Sequence, residues 1–229
     1  MTSLQEIYHL QTTLSLIFDR IGITQEIRDN LSLHELSPQE QDQLALLIEK
    51  FESNVDEIRN DTTRLEELFD QRLFIRLGNY YYYQGDLHQA LDYYNLSSMV
   101  EENEWAHFNS GIVLQRQEQL KMAFKKYDLA IKLKPDFPQA LCHQAEILIL
   151  QGHPEAALEK LIKSEKLNPN DPETNKLLAE YYIEHGKKKE ALEHLKAIHH
   201  RDSDVEKKIE ELAQEKSLLN RILSRFRKK

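Results

Sequence analysis

Small residues return at two fixed places in this chain, four times each, at a spacing of about 34 residues. Numbering a repeat from Gln71 puts Leu77, Gly78 and Tyr81 at positions 7, 8 and 11, Gly85 at 15, Ala90 at 20 and Tyr94 at 24. A second start at Glu104 gives Gly111 at position 8, Ala123 at 20, Tyr127 at 24, Ala130 at 27 and Pro135 at 32. A third at Pro138 gives Ala145 at 8, Leu148 at 11, Gly152 at 15, Ala157 at 20, Leu161 at 24 and Pro169 at 32. A fourth at Pro172 gives Ala179, Tyr182, Gly186, Ala191 and Leu195 at positions 8, 11, 15, 20 and 24. The starts lie 33, 34 and 34 residues apart.

A small–large pattern at this period resembles the tetratricopeptide repeat. The resemblance covers residues 71–203, and the fourth repeat departs from it by lacking the closing proline and by carrying Ile198 at position 27. It implies an all-α, right-handed solenoid of about four helix pairs: 71–103, 104–137, 138–171 and 172–203. Small side chains at positions 8 and 20 let the two backbones of a pair approach, while larger residues at 7, 11 and 24 fill the space around them. Glycine at 15 can take the left-handed conformation that ends a first helix. Proline at 32 cannot continue a second one. A single pair cannot bury its apolar faces alone, so pairs stack and leave a concave groove lined by the first helices.

The run Tyr80-Tyr81-Tyr82-Tyr83 falls on such a first helix. Tyr80 and Tyr81 are expected between helices, and Tyr82 and Tyr83 toward the groove.

The flanks are helical without repeating. In residues 1–70, Ser3 with Glu6 and Ser37 with Glu40 have capping-box spacing, and Pro38 suits a first helical position. Apolar stripes follow each, through Leu4, Ile7, Leu14, Ile17, Phe18 and Ile21, then through Leu44, Leu47, Phe51, Val55 and Ile58. A third helix is expected from Asp61, running into the first repeat helix. This segment reads as a small helical domain, a cap on the first repeat or a dimerisation element. Residues 204–229 read as a capping helix with a basic tail, Ser203 and Glu206 marking its start. Residues 216–229 hold six basic side chains and no acid, so a peripheral membrane or partner contact competes there with a solvated helix end.

Composition narrows the function. Net charge is −9, and the acidic body lacks the basic face that phosphate contacts need, so nucleic acid is not an expected partner. The lone Cys142 excludes an intramolecular disulfide and any CxxC motif. The N-terminus has neither the basic start nor the apolar run of a signal peptide, and no apolar stretch reaches a membrane-spanning length. A cytoplasmic protein is the expectation. Phosphate-binding, serine-hydrolase and zinc-protease motifs are missing from the sequence. None of the ten histidines pairs with another at helical ligand spacing. No enzyme, metal or cofactor is expected.

The resemblance implies a groove lined by positions 2, 5, 6, 9, 12 and 13 of each first helix. The candidate peptide-binding residues are Arg72, Arg76, Asn79, Tyr82, Tyr83, Trp105, Phe108, Asn109, Ile112, Arg116, Cys142, His143 and Glu146. The asparagines suit a peptide backbone, the aromatic side chains a hot spot, and the arginines an acidic ligand end. Asn79 and Asn109 match two positions of the carboxylate clamp that some family members use on heat-shock chaperones. Ile75, Gln139 and His143 stand where its basic residues belong, which disfavours that role. The expected function is therefore a non-enzymatic adaptor or chaperone-like module that binds a protein or peptide partner. A looser similarity to bacterial class II type III secretion chaperones points the same way. The alternatives are a self-assembling scaffold, including a homodimer through the N-terminal helices, and a membrane-associated assembly factor using the tail.

Overall fold

A computed structural model describes residues 4–27, 36–199 and 203–226, with side chains described through residue 214. The described residues are helical and contain no strand. They belong to two compact units, Met1–Pro135 and Asp136–Lys229.

The first unit opens with α1 (Leu4–Arg20), α2 (Pro38–Asp56) and α3 (Thr62–Leu68). Two helix pairs follow: α4 (Gln71–Gln84) with α5 (Leu87–Val100), and α6 (Glu104–Arg116) with α7 (Leu120–Leu133). Ser37 and Glu40 form the expected reciprocal capping box on α2, with Pro38 at the helix start. Ser3, the cap proposed for α1, lies outside the described residues.

The expectation of an unbroken helix from Asp61 into the first repeat is corrected. Phe69 is extended, and the Asp70 carboxylate caps α4 by accepting from the Arg72 backbone N–H at 2.8 Å. The break lets Phe69 drop into the core, where its ring meets Phe51 and Phe74. The apolar stripes of α1 and α2 are consumed there too, except for Leu4, which is exposed. Leu14, Phe18, Leu44, Phe51 and Val55 form one buried cluster with Leu73, Phe74, Leu77 and Tyr93 of the first pair.

The second unit contains the pairs α8 (Pro138–Leu150) with α9 (Pro154–Leu167), and α10 (Pro172–Glu184) with α11 (Lys188–Ala197). A final helix, α12 (Ser203–Phe226), lays Val205, Ile209 and Leu212 against Ala179, Leu195 and Ile198. Lys208 of α12 also pairs with Glu180 at 2.9 Å. The basic side chains proposed for membrane contact, from Lys216 onward, lie outside the residues whose side chains are described.

The four first helices begin at Gln71, Glu104, Pro138 and Pro172, the repeat starts read from the sequence. The position-20 alanines, Ala90, Ala123, Ala157 and Ala191, are fully buried. A further link recurs at position 27, where Ser97 and Ser164 donate to the main-chain carbonyls of Gln71 and Pro138 at 3.1 and 2.9 Å. Each hydroxyl ties the second helix of a pair to the first residue of its partner.

Position 15 adopts left-handed backbone in all four repeats: Gly85, Gly152 and Gly186 at φ 83, 78 and 70°, and Glu118 at φ 61°. The turns are equivalent, since the N–H of each following residue reaches back to a carbonyl of the first helix, as Asp86 does to Tyr81 and Gln119 to Leu114. Glu118 alone has a Cβ crowded by that geometry, a strain of about 1–2 kcal/mol. Glu118→Gly is expected to stabilise the protein by about 0.5–1 kcal/mol after glycine's larger entropy loss on folding is set against the relief. Denaturant titration measures it, and an unchanged or lower midpoint refutes it.

Candidate functional site

The candidate site of the first unit is built on α4 and α6. Asn79 and Asn109 are both fully buried, and their side chains meet, Asn109 Nδ2 donating to Asn79 Oδ1 at 2.9 Å. Asn79 Oδ1 also accepts from the Tyr94 hydroxyl at 2.7 Å. Each asparagine then donates to main chain. Asn79 Nδ2 reaches the carbonyl of Thr24 and Asn109 Nδ2 that of Gln25, both at 2.7 Å. These partners fix both amide orientations, because a flipped ring of contacts would set oxygen against oxygen. Successive carbonyls of one segment thus face successive asparagines.

The segment is the chain that leaves α1. Ile21 and Gly22 turn, with Gly22 at φ 75°, and Ile23 is buried in the core shared with α1 and α2. Residues 24–27 are half-buried, and Ile27 packs on the cluster of Ile75, Ala90, Tyr94, Ala106 and Val113. Sequence reasoning missed this segment. The alternation of Ile21 and Ile23 was its only local signal.

Arg76 corrects one expectation. It was assigned to an acidic ligand end, yet its guanidinium donates to the carbonyls of Ile23 and Ser15 at 2.8 and 3.0 Å and pairs with Asp19 at 2.7 Å. It also lies over the Phe18 ring, 5.3 Å from the centroid. Burial pulls its pKa below the usual arginine range, and Asp19 opposes that shift. Arg76 is therefore a clasp on α1 and the segment after it.

The other lining residues divide by depth. Phe108 was expected to be accessible at position 5 but is buried against Tyr127, with ring centroids 5.7 Å apart. Ile75 and Cys142, at position 5 of their repeats, are buried too, so this place belongs to packing rather than to an open face. Trp105 is half-buried, edge-on to Phe108 and beneath the Lys134 ammonium. Ile112 is half-buried. Tyr82 is half-buried and carries the exposed Arg116 guanidinium over its ring at 5.3 Å, an arrangement that leaves both at the surface. Arg72 is exposed.

In the tyrosine run Tyr80 and Tyr81 lie between helices as expected, and Tyr83 alone departs. Tyr80 packs beside Phe18 of α1, and Tyr83 packs against the same N-terminal cluster rather than opening to a groove. Tyr81 stacks on Tyr93, and both hydroxyls donate to Glu52 of α2. Burial, with the Glu52 charge added, raises both phenols well above their usual pKa.

In the second unit, the Cys142 thiol is buried and burial pushes it up to about 12, so it is a core contact with little thiolate character. His143 and Glu146 are half-buried neighbours on α8, 3.4 Å apart. Among the described residues no group of three or more metal-ligating side chains gathers, and no helix is long and apolar enough to cross a membrane.

This geometry agrees with what the chain is similar to. A family model described as anaphase-promoting complex, cyclosome, subunit 3 matches residues 116–198. Among solved structures, the one titled for functional characterization of Pseudomonas aeruginosa PilF superimposes with a TM-score of 0.66 at 15% identity. It covers 93% of this chain and 86% of that one. Two MamA structures superimpose at TM-scores of 0.54 and 0.55 with 15% and 16% identity. They cover 78% and 90% of this chain and 98% and 94% of theirs. No curated protein matches the chain in sequence. Paired helices with small residues at their crossings define the α-solenoid class. Within that class the helix-pair fold is the one that the tetratricopeptide resemblance implied.

Proposed function

We propose that the protein is a non-enzymatic interaction module that holds an extended segment of a protein partner along α4 and α6. One observation carries this reading: two buried asparagines donate to consecutive carbonyls of one non-helical stretch. Side-chain amides aimed at main chain confer affinity for any extended peptide. Sequence preference then comes from the half-buried rim, chiefly Tyr82 with Arg116 and Trp105. In this reading α1–α3 cap the first pair and α12 caps the last.

A displayed library of short linear peptides, selected against the full-length protein, tests the proposal. Selected peptides are expected to bind the parent and to lose about tenfold in affinity, or 1.4 kcal/mol, on Tyr82→Ala or Arg116→Ala. Arg116 is exposed, whereas Tyr82 also packs on the Ile75–Tyr94 cluster, so circular dichroism first confirms that both variants are folded. Equal binding to parent and variants would place recognition on another face.

A further inference from the structure

The segment on the asparagine pair belongs to the protein itself and satisfies that pair only in part. Asn109 is fully buried, and its Nδ2 has two acceptors, but its Oδ1 is a buried acceptor with no hydrogen-bond donor. The amide cannot rotate to correct this, since Nδ2 would then leave both Gln25 and Asn79. An acceptor shut away from solvent without a donor is costly. Residues 24–27 supply carbonyls to this face but no N–H for that oxygen.

Two parts of the docked stretch are held differently. Ile21 and Ile23 are core residues, and Arg76 grips the Ile23 carbonyl, so this half is fixed. Residues 24–27 are half-buried, and Ile27 packs on the α4–α6 cluster. The Thr24 hydroxyl turns back to the Glu26 carbonyl rather than to the helices. The core contacts of Ile21 and Ile23 thus lie outside the stretch that covers α4 and α6.

We propose that residues 24–27 are a built-in competitor for the α4/α6 face. The partner is an extended segment that replaces them by offering Asn109 a main-chain N–H as well as a carbonyl, and an aliphatic side chain where Ile27 sits. This rests on the peptide-binding reading above and adds two things to it: the ligand's chemistry and a threshold that it must exceed. A ligand that pairs both ends of the Asn109 amide outcompetes a tethered segment that pairs one. Weak or incomplete ligands are excluded, because the tether keeps the local concentration of the internal segment high.

The probe is a labelled synthetic peptide carrying residues 23–31 of this chain, titrated by fluorescence anisotropy into the full-length parent, Ile27→Asp and Ile27→Ala. The alanine variant removes only part of a half-buried side chain and keeps the fold should the aspartate not. Both variants are expected to bind the peptide at least about tenfold more tightly than the parent does. Hydrogen exchange across residues 24–27 should be faster in both. Adding Asn109→Ala to Ile27→Ala should cancel the gain in affinity. Equal affinity for parent and variants, or no binding by variants with parental circular dichroism, overturns the proposal.

The library-selected peptides separate it from the reading on which it rests. If they depend on Tyr82 and Arg116 but bind parent and Ile27→Ala alike, the binding face stands and the competitor falls. If the self-peptide gains affinity while the selected peptides ignore Tyr82 and Arg116, the competitor stands and the functional reading falls.

Discussion

Arginine at position 123 or 157 is expected to abolish cooperative folding of the unit that contains it. Ala123 lies in α7 and Ala157 in α9, each fully buried. Ala157 sits in a cluster with Ala145, Leu161 and Leu178, where a side chain of six more heavy atoms has no space. Overpacking a tight core costs about 1–3 kcal/mol. An unpaired buried charge adds about 3–5 kcal/mol more. Together these approach the whole stability of a small domain, about 5–15 kcal/mol. The neighbour Ala156 is exposed on the same helix, so Ala156→Arg serves as the matched control and should shift stability by less than about 0.5 kcal/mol. Thermal unfolding followed by circular dichroism reads both. A parental melting temperature for Ala157→Arg, or equal effects at 156 and 157, would mean that the repeat register is wrong.

That register was legible because it is written in side-chain size, and close helix crossings depend on size. Helix starts at 71, 104, 138 and 172 follow from it. The face on α4 and α6 was legible only in part. Asn79 and Asn109 stood out as amides, yet their partners are carbonyls of Thr24 and Gln25, and every residue carries a carbonyl. A contact between backbone and a side chain 55 or 84 positions away leaves no pattern in the sequence. Arg76 misled for a related reason. Its charge was visible, but Asp19 and the Ile23 carbonyl, which occupy it, come from a flank with no repeat register. Position 5 misled because accessibility depends on which helix follows; Ile75, Phe108 and Cys142 are all covered. The break before α4 was hidden because Phe69 continues an apolar stripe while its backbone is extended.

Exchanging the residue pair of one repeat for that of another should restore stability that either exchange alone removes. Positions 8 and 24 hold Gly78 with Tyr94, Gly111 with Tyr127, Ala145 with Leu161 and Ala179 with Leu195. Glycine stands opposite tyrosine and alanine opposite leucine. The reason is contact: a Cβ on Gly78 or Gly111 would lie 2.3 or 2.4 Å from a ring carbon of Tyr94 or Tyr127. Both rings are fully buried and cannot swing away. Gly111→Ala would gain up to about 1 kcal/mol from helix propensity alone. Against that stand about 1–3 kcal/mol of overpacking, so a net loss is expected. Tyr127→Leu alone leaves space over a bare glycine and removes the hydroxyl bond to Gln115, so it also destabilises. The double variant Gly111→Ala/Tyr127→Leu reproduces the Ala145–Leu161 packing, and its coupling energy should be favourable by about 1–3 kcal/mol. Urea titration of the four proteins measures it, and strict additivity would remove the size-matching account. The equivalent change at Gly78 has a consequence that Gly111 does not share. Tyr94 donates to Asn79 Oδ1, so displacing its ring disturbs the amide that holds the Thr24 carbonyl. Gly78→Ala should therefore speed hydrogen exchange across residues 24–27 in protein that remains folded. Gly111→Ala, whose opposing tyrosine bonds Gln115 instead, should leave that exchange at the parental rate.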